Sequence, residues 1–458
     1  MTIEISKLSE SLEVITEEMF SLIQELFPIC RSITGNGVRE SLERIKENIP
    51  ITKHEIPTGT KVFDWIIPKE WNIKDAYVTD LNGKKIIDFQ KSNLHIVSYS
   101  TPIKKQISLD ELKKHIFSIP EKPDYIPYAT SYYNETWGFC LEHNKLIEMN
   151  DEKYNISIES KLEDGFLTYG EFLIEGESKD EILISSYICH PSMCNDNLSG
   201  VVVATALAKY LKNFKLKYSI RFLFIPETIG AISWLYLNKN KTNNIKHGLI
   251  LTCLGDSGHF IYKKSRRGDT EIDETVVKIL NESKKKFEVV DFFPWGSDER
   301  QFCSPGFNLP VGSLMRSMYG KFPEYHTSAD NLEFMNKNSL QESFEQYFLI
   351  ISELEKNFTK AKIESKIMKE KVRLEHEDYF LSTNPNCEPQ LGKYDLYEKF
   401  GGQYDKEKDD LKSAIFWILN FSDGSHSLKE IAARSNLDLE IIKKTALLLE
   451  SKKLILRD

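Results

Sequence analysis

EILISSYICHPSMCNDNLSGVVVATALAKYLKNF, residues 181–214, places two periodicities back to back. Glu181 to Ile188 is a short apolar run of the kind a fully buried strand carries, and from Ser199 onward apolar residues recur at helix spacing. The rhythm then repeats. SIRFLFIPE (219–227) reads as a strand, AISWLYLNKN (231–240) as a helix and GLILTCLGD (248–256) as a strand again. Alternation of this kind predicts an α/β fold with a mostly parallel sheet covered on both faces. Ligands of such sheets collect at the carboxyl ends of the strands, so the loops there are where chemistry is expected.

Four of those loops carry candidates. CHPSMCNDNLSG (189–200) offers His190 and Asp196, and IPETIG (225–230) offers Glu227. TCLGDSG (252–258) offers Cys253 and Asp256. GSDERQF (296–302) with YHTSADN (325–331) offers Asp298, Tyr325, His326 and Asp330. Taken singly, each has an ordinary structural use. A strand-end histidine can be a hydrogen-bonded scaffold residue, and Asp196 can cap the helix that follows it. Glu227 can be a solvated turn residue, and Cys189 and Cys194 small buried hydrophobes. Together, imidazoles and carboxylates at the ends of one βαβ series are the donor set of a zinc centre.

Outward from this core the chain changes character. Residues 1–51 are helical in pattern and, with 162–358, form the expected α/β domain. Residues 52–161 hold short β-like runs between Pro, Gly and Asn turns, an inserted β-rich domain of about 100 residues. Residues 359–458 open with a charged helical connector, KAKIESKIMKEKVRLEHEDYF (360–380), followed by three helices and a short strand in the manner of a winged helix. The 458-residue chain carries a net charge of −9, which argues against a general binder of nucleic acid or anionic membrane. From Asp405 to Asp458 ten basic residues face ten acidic ones, so the winged helix is expected to meet protein, by dimerisation or as a lid, rather than DNA. The acidic start and the lack of long apolar runs predict a cytoplasmic protein without membrane spans, and the seven scattered cysteines are expected to be free thiols.

Residues 185–331 resemble the M28-type zinc aminopeptidases, in which a histidine precedes DNxSG, an EExG turn follows, and SDxxxF leads to YHTxxD. The whole chain more closely resembles the DUF4910 family of aminopeptidase-like proteins, which have an inserted DUF2172 domain and a C-terminal winged helix. CRSITGNGVRESL (30–42), DWIIPKEW (64–71), IPYATSYYNETWGFC (126–140), ICHPSMCNDNLSG (188–200), SRRGDT (265–270), YHTSADN and LGKYDLYEKFGG (391–402) carry that likeness.

The resemblance implies that His190, Asp196 and His326 hold zinc, that Glu227 is the general base and that Tyr325 sits near the oxyanion. Asp298 or Asp330 would take the second N–H of a zinc-bound histidine. Two positions depart from the pattern. Thr228 replaces the second glutamate of EExG, and the later aspartate is either Asp256, the better chemistry and the one favoured, or Cys253, the better register. One zinc or two per chain are both expected readings. In the insert, Tyr132 and Trp137 are expected to select substrate with Tyr128 and Tyr133 around them, while Arg266 and Arg267 would grip an anionic group. The expected activity is hydrolysis of an amide in a peptide-like or amino-sugar substrate, linked through the family to surface polysaccharide biosynthesis. The competing expectation is a binding or regulatory protein that kept the scaffold without the reaction.

Overall fold

The computed structural model describes residues 11–358, 377–397 and 409–458. Most of the expected connector, residues 359–376, lies outside the described residues. Eight strands form the main sheet: β1 Thr52–Pro57, β2 Phe166–Ile174, β3 Glu181–Tyr187, β4 Ser219–Ile225, β5 Ile245–Leu251, β6 Phe260–Lys263, β7 Phe287–Val290 and β8 Val311–Met315. Their order is β1-β2-β4-β3-β5-β8-β6-β7. The centre is parallel, with β3 between β4 and β5 and β5 beside β8, and antiparallel pairs flank it. Every residue of β3 and β4 is buried, which is why both read as continuous runs rather than alternating ones.

One face of the sheet is covered by α1 Leu12–Leu26, α2 Asn36–Lys46, α3 Ser199–Leu211, α5 Glu271–Glu282 and α6 Lys337–Asn357; α4 Ile229–Leu237 packs on the other. In α3 the residues Val201, Val202, Val203, Leu207 and Leu211 are all fully buried, each contributing roughly 1.5–3 kcal/mol. Gly200, the second residue of that helix, is there for a steric reason: a Cβ would overlap the carbonyl of Leu251 at the end of β5. The close approach brings the loop after β3 against the next strand end.

The insert differs from expectation at its start. Thr52–Pro57 belongs to the main sheet, where it pairs antiparallel with β2, and the insert's own four-stranded sheet runs from Glu70 to Glu163. Its order is Lys85–Asp88, Glu70–Thr79, Lys153–Glu163, Ile103–Ser108.

In the C-terminal domain the helices Asp409–Phe421, Leu428–Ser435 and Leu439–Ser451 pack on a three-stranded sheet. The middle strand, Tyr379–Ser382, comes from the end of the segment read as a helical connector. No described helix is long and apolar enough to cross a membrane.

Candidate metal and catalytic site

His190 follows β3, and its carbonyl accepts a hydrogen bond from Arg31 Nε at 3.0 Å. Arg31 is fully buried, so the CRSITGNG motif serves to anchor the histidine loop from the N-terminal side. Asp196 is equally buried. The hydroxyl of Tyr187, at the end of β3, donates to Asp196 Oδ1 and lies 2.7 Å from Thr252 Oγ1. That leaves Oδ2 facing two imidazoles, 3.0 Å from His326 Nε2 and 3.9 Å from His190 Nε2. Glu227 Oε2 lies 3.8 Å from His190 Nε2. His190, Asp196 and His326 thus converge as one set of donor atoms, and Cys189, His190 and Glu227 as an adjoining one.

Charge in this site follows from burial and neighbours. Burial works against the Asp196 carboxylate, but the histidines beside it outweigh that and hold it down to about 2. Burial takes His190 down to about 4. An ionised carboxylate facing a neutral imidazole is the protonation state a divalent cation requires of its ligands. Two imidazoles and one carboxylate also match zinc's preferred donors. Burial, helped by the charge of Asp298, pushes Glu227 well above the usual carboxylate range. The Cys189 thiol is pushed well up by burial and next by Glu227, so it stays protonated and serves instead as acceptor for the Glu227 N–H at 3.3 Å.

Several expected residues stand elsewhere. Asp256 spends its carboxylate on Asn195 Nδ2 at 2.8 Å, Ser317 Oγ at 2.6 Å and the N–H of Gly258, so it ties loops together and is not among the converging donors. Cys253, also outside that set, is fully buried at φ 52°. Asp330 accepts the backbone N–H of Asn195 at 2.6 Å and of Asp196 at 2.9 Å, fixing the loop that presents Asp196 rather than a histidine ring. Burial lifts it to about 8. Asp298 accepts the Thr228 N–H at 2.7 Å. Burial lifts Asp298 to about 7.

Thr228 Oγ1 accepts from Arg300 Nη2 at 3.0 Å, and Arg300 in turn pairs with Glu388 of the C-terminal segment at 2.9 Å. Arg266 does not face the site. It bonds Asn420 at 2.9 Å and pairs with Asp423, clamping the winged helix to the core, and Arg267 is exposed beside it. Trp137 is stacked on His115, ring centres 3.7 Å apart, with Lys105 Nζ 5.4 Å from its ring, and belongs to the insert's own packing. Tyr325 lies flat against His326, centroids 3.9 Å apart.

The insert closes over the donors. Ile126 and Ser328 exchange hydrogen bonds at 2.9 Å, and the Tyr128 N–H donates to the His326 carbonyl at 2.8 Å. The Tyr128 ring therefore sits 5.3 Å from that of His190 and 5.2 Å from that of His326. Tyr187, Arg31 and Arg300 escaped the sequence reading of the site. All three lie within segments quoted above, where only their partners reveal what they do.

The fold is that of an aminopeptidase-like α/β protein carrying a winged helix. A zinc aminopeptidase of Bacillus subtilis shares the fold at TM-score 0.55 and 12% identity, over 75% of this chain and 96% of that one. The chain belongs to the DUF4910 family, a domain of unknown function whose model matches residues 20–357; a winged helix-turn-helix model matches 378–457. It is 53% identical, over 97% of both chains, to a Clostridium acetobutylicum protein named for polysaccharide biosynthesis and an aminopeptidase-like domain. A crystal structure of a provisionally assigned peptidase from that organism matches at TM-score 0.76 and 50% identity, covering both chains in full.

Proposed function

We propose that the chain is a zinc-dependent hydrolase of the aminopeptidase type, cleaving an amide next to a free amine or a related amide on a sugar-linked substrate. The observation that carries this is the meeting of His190, Asp196 and His326 with Glu227 3.8 Å from His190 Nε2. Three protein donors with a further position open is a common catalytic zinc shell, and zinc held there would supply Lewis acidity and a more acidic water.

The chain's own residues then divide the work. Glu227 takes the proton of the attacking water on its carboxylate and returns it to the departing nitrogen. Arg300 is the neighbour whose charge favours the ionised form Glu227 needs first. The Tyr325 hydroxyl donates to the oxygen on which charge develops. Tyr187 and Asp330 keep Asp196 aimed, one through its side chain and one through its backbone. With a hydroxyl at Thr228 the second metal position lacks its carboxylate, which favours one zinc per chain. The sugar-linked substrate is supported by the naming of the C. acetobutylicum relative.

The test pairs zinc analysis of protein purified without chelators with hydrolysis of aminoacyl anilides and N-acyl amino sugars. Glu227→Gln should keep its zinc and lose the hydrolysis. Thr228 also favours a second reading, a ligand-binding scaffold. Zinc binding with no hydrolysis by the wild type, and unchanged ligand affinity in Glu227→Gln, would select that reading instead.

A further inference from the structure

After β4 the chain makes a turn that a threonine does not adopt freely. Thr228, the residue after Glu227, stands at φ 64°, ψ −75°, and the Ile229 N–H closes back on the Glu227 carbonyl at 2.8 Å. Those dihedrals and that short hydrogen bond define a γ-turn of the rare, strained kind. For a β-branched residue a positive φ is an outlier, and it persists only where the surroundings over-determine it.

The surroundings come first from the loop and short helix at Glu299–Phe302. Asp298 Oδ1 accepts the Thr228 N–H at 2.7 Å, and Arg300 Nη2 donates to the Thr228 hydroxyl at 3.0 Å. Arg300 is held in turn from outside the α/β domain. Glu388 grips it twice, Oε2 at 2.9 Å from Nε and Oε1 at 3.2 Å from Nη2, and the guanidinium lies 5.4 Å from the ring centre of Phe416 in the winged helix. The side chains of Arg300 and Glu388 are only 15% and 14% exposed.

The segment carrying Glu388 is itself tied down. The Cys387 N–H donates to Ser304 Oγ at 2.9 Å, the Glu388 N–H to Gln301 Oε1 at 3.1 Å, and Trp65 Nε1 to the Glu388 carbonyl at 2.8 Å. A fixed Glu388 matters because of what else Arg300 could pair with. Burial works against the Arg300 charge; Glu388 does most to offset this and Glu227 comes next. Without Glu388 the guanidinium would be left mostly buried, with Glu227 as its strongest remaining attraction.

Glu227 has no such tether of its own. Among the described residues its carboxylate accepts no hydrogen bond from another side chain, so its aim depends on the backbone that carries it. We infer that Glu388 and Arg300 are positioning residues: together they hold the Thr228 turn from the C-terminal segment and keep Glu227 directed at the donor cluster. That this aim serves hydrolysis rests on the function proposed above; the hold on the turn rests on the geometry alone.

Two readouts on the full-length protein test this. In metal-stripped protein, hydrogen exchange followed by mass spectrometry over residues 226–232 should run about tenfold or more faster in Glu388→Gln than in wild type, while β3 changes by less than about twofold. In zinc-loaded protein, kcat for an aminoacyl anilide should fall about tenfold or more in the same variant, with KM and zinc content within about twofold of wild type. A double-mutant cycle ties the strain to the clamp. Glycine accepts a positive φ without the clamp, so adding Glu388→Gln to Thr228→Gly should change exchange at the turn by less than about twofold. Should Glu388→Gln fail to fold, Arg300→Lys, which keeps the charge but cannot span both partners, takes its place with the same expectations. Unchanged exchange at the turn, an equal rise in β3, or additive effects in the cycle overturns the inference. So does a loosened turn with kcat unchanged. Faster exchange at the turn, in a protein whose wild type hydrolyses neither anilides nor N-acyl amino sugars, counts against the hydrolase reading alone.

Discussion

Two neighbouring strand ends face the same hollow and are built in opposite ways. At the end of β3, His190 and Asp196 lie with His326 in a ring of donors, tied down by Tyr187, Asp330 and the insert's Tyr128. At the end of β4, the residue after Glu227 is a threonine whose hydroxyl takes a hydrogen bond from Arg300, itself paired with Glu388 of the C-terminal segment. One corner concentrates carboxylate and imidazole donors; the other places a guanidinium beside the threonine. The contrast sets a corner where histidine and carboxylate donors converge beside one where a guanidinium takes up a threonine hydroxyl.

The largest effect is expected at the first corner. His190→Ala or Asp196→Ala should drop zinc from about one per chain to under a tenth by elemental analysis, and retained zinc would break the contrast outright. Glu227→Gln comes next. It should leave zinc in place while lowering kcat by ~10²–10⁴, the usual contribution of a positioned acid–base group.

Further out, Arg266→Ala should cost about 2–3 kcal/mol by thermal unfolding without changing zinc content, since it removes one partner of a mostly buried pair at the winged-helix clamp. Acid should act on the same clamp. Burial works to raise Asp423, but the hydrogen bond from His426 and the charge of Arg266 outweigh it and hold the carboxyl well below its usual 3.8. A depressed carboxyl stabilises the fold above its ordinary value and loses that contribution as pH falls through and below it. Hydrogen exchange at the clamp should therefore rise below about pH 4 in wild type, and Arg266→Ala should show less of this acid dependence.

The smallest effect sharpens the second corner. Thr228→Glu alone should leave zinc at one per chain, because Arg300, 3.0 Å from the threonine hydroxyl, would take up the new carboxylate. A rise to two would show that the guanidinium does not decide the count.

Much of this was legible in the chain itself. The apolar run of β3, the helix period of α3 and their repetition through β5 follow from local patterning, and so does the placing of His190, Glu227 and Asp256 at strand ends. Set against the EExG turn of the M28-type aminopeptidases it resembles, the sequence also carries Thr228 where that pattern has a glutamate. What it could not show was which strand-end groups meet. Asp256 has a ligand's chemistry, yet Asn195, Ser317 and Gly258 claim its oxygens. Arg266 sits in a motif that suggests anion binding, but its partner is Asp423, 157 residues away.

By itself, then, the sequence determined the layers of the α/β domain, the winged helix and the pool of candidate donors, because periodicity and turn chemistry act over a few residues. Only the tertiary structure decided that Tyr128 of the insert closes over the histidines, that Arg300 links Thr228 to Glu388 and that Thr52–Pro57 belongs to the main sheet. Those outcomes depend on which buried groups satisfy one another across long separations, and desolvation makes each such choice costly to leave unmade.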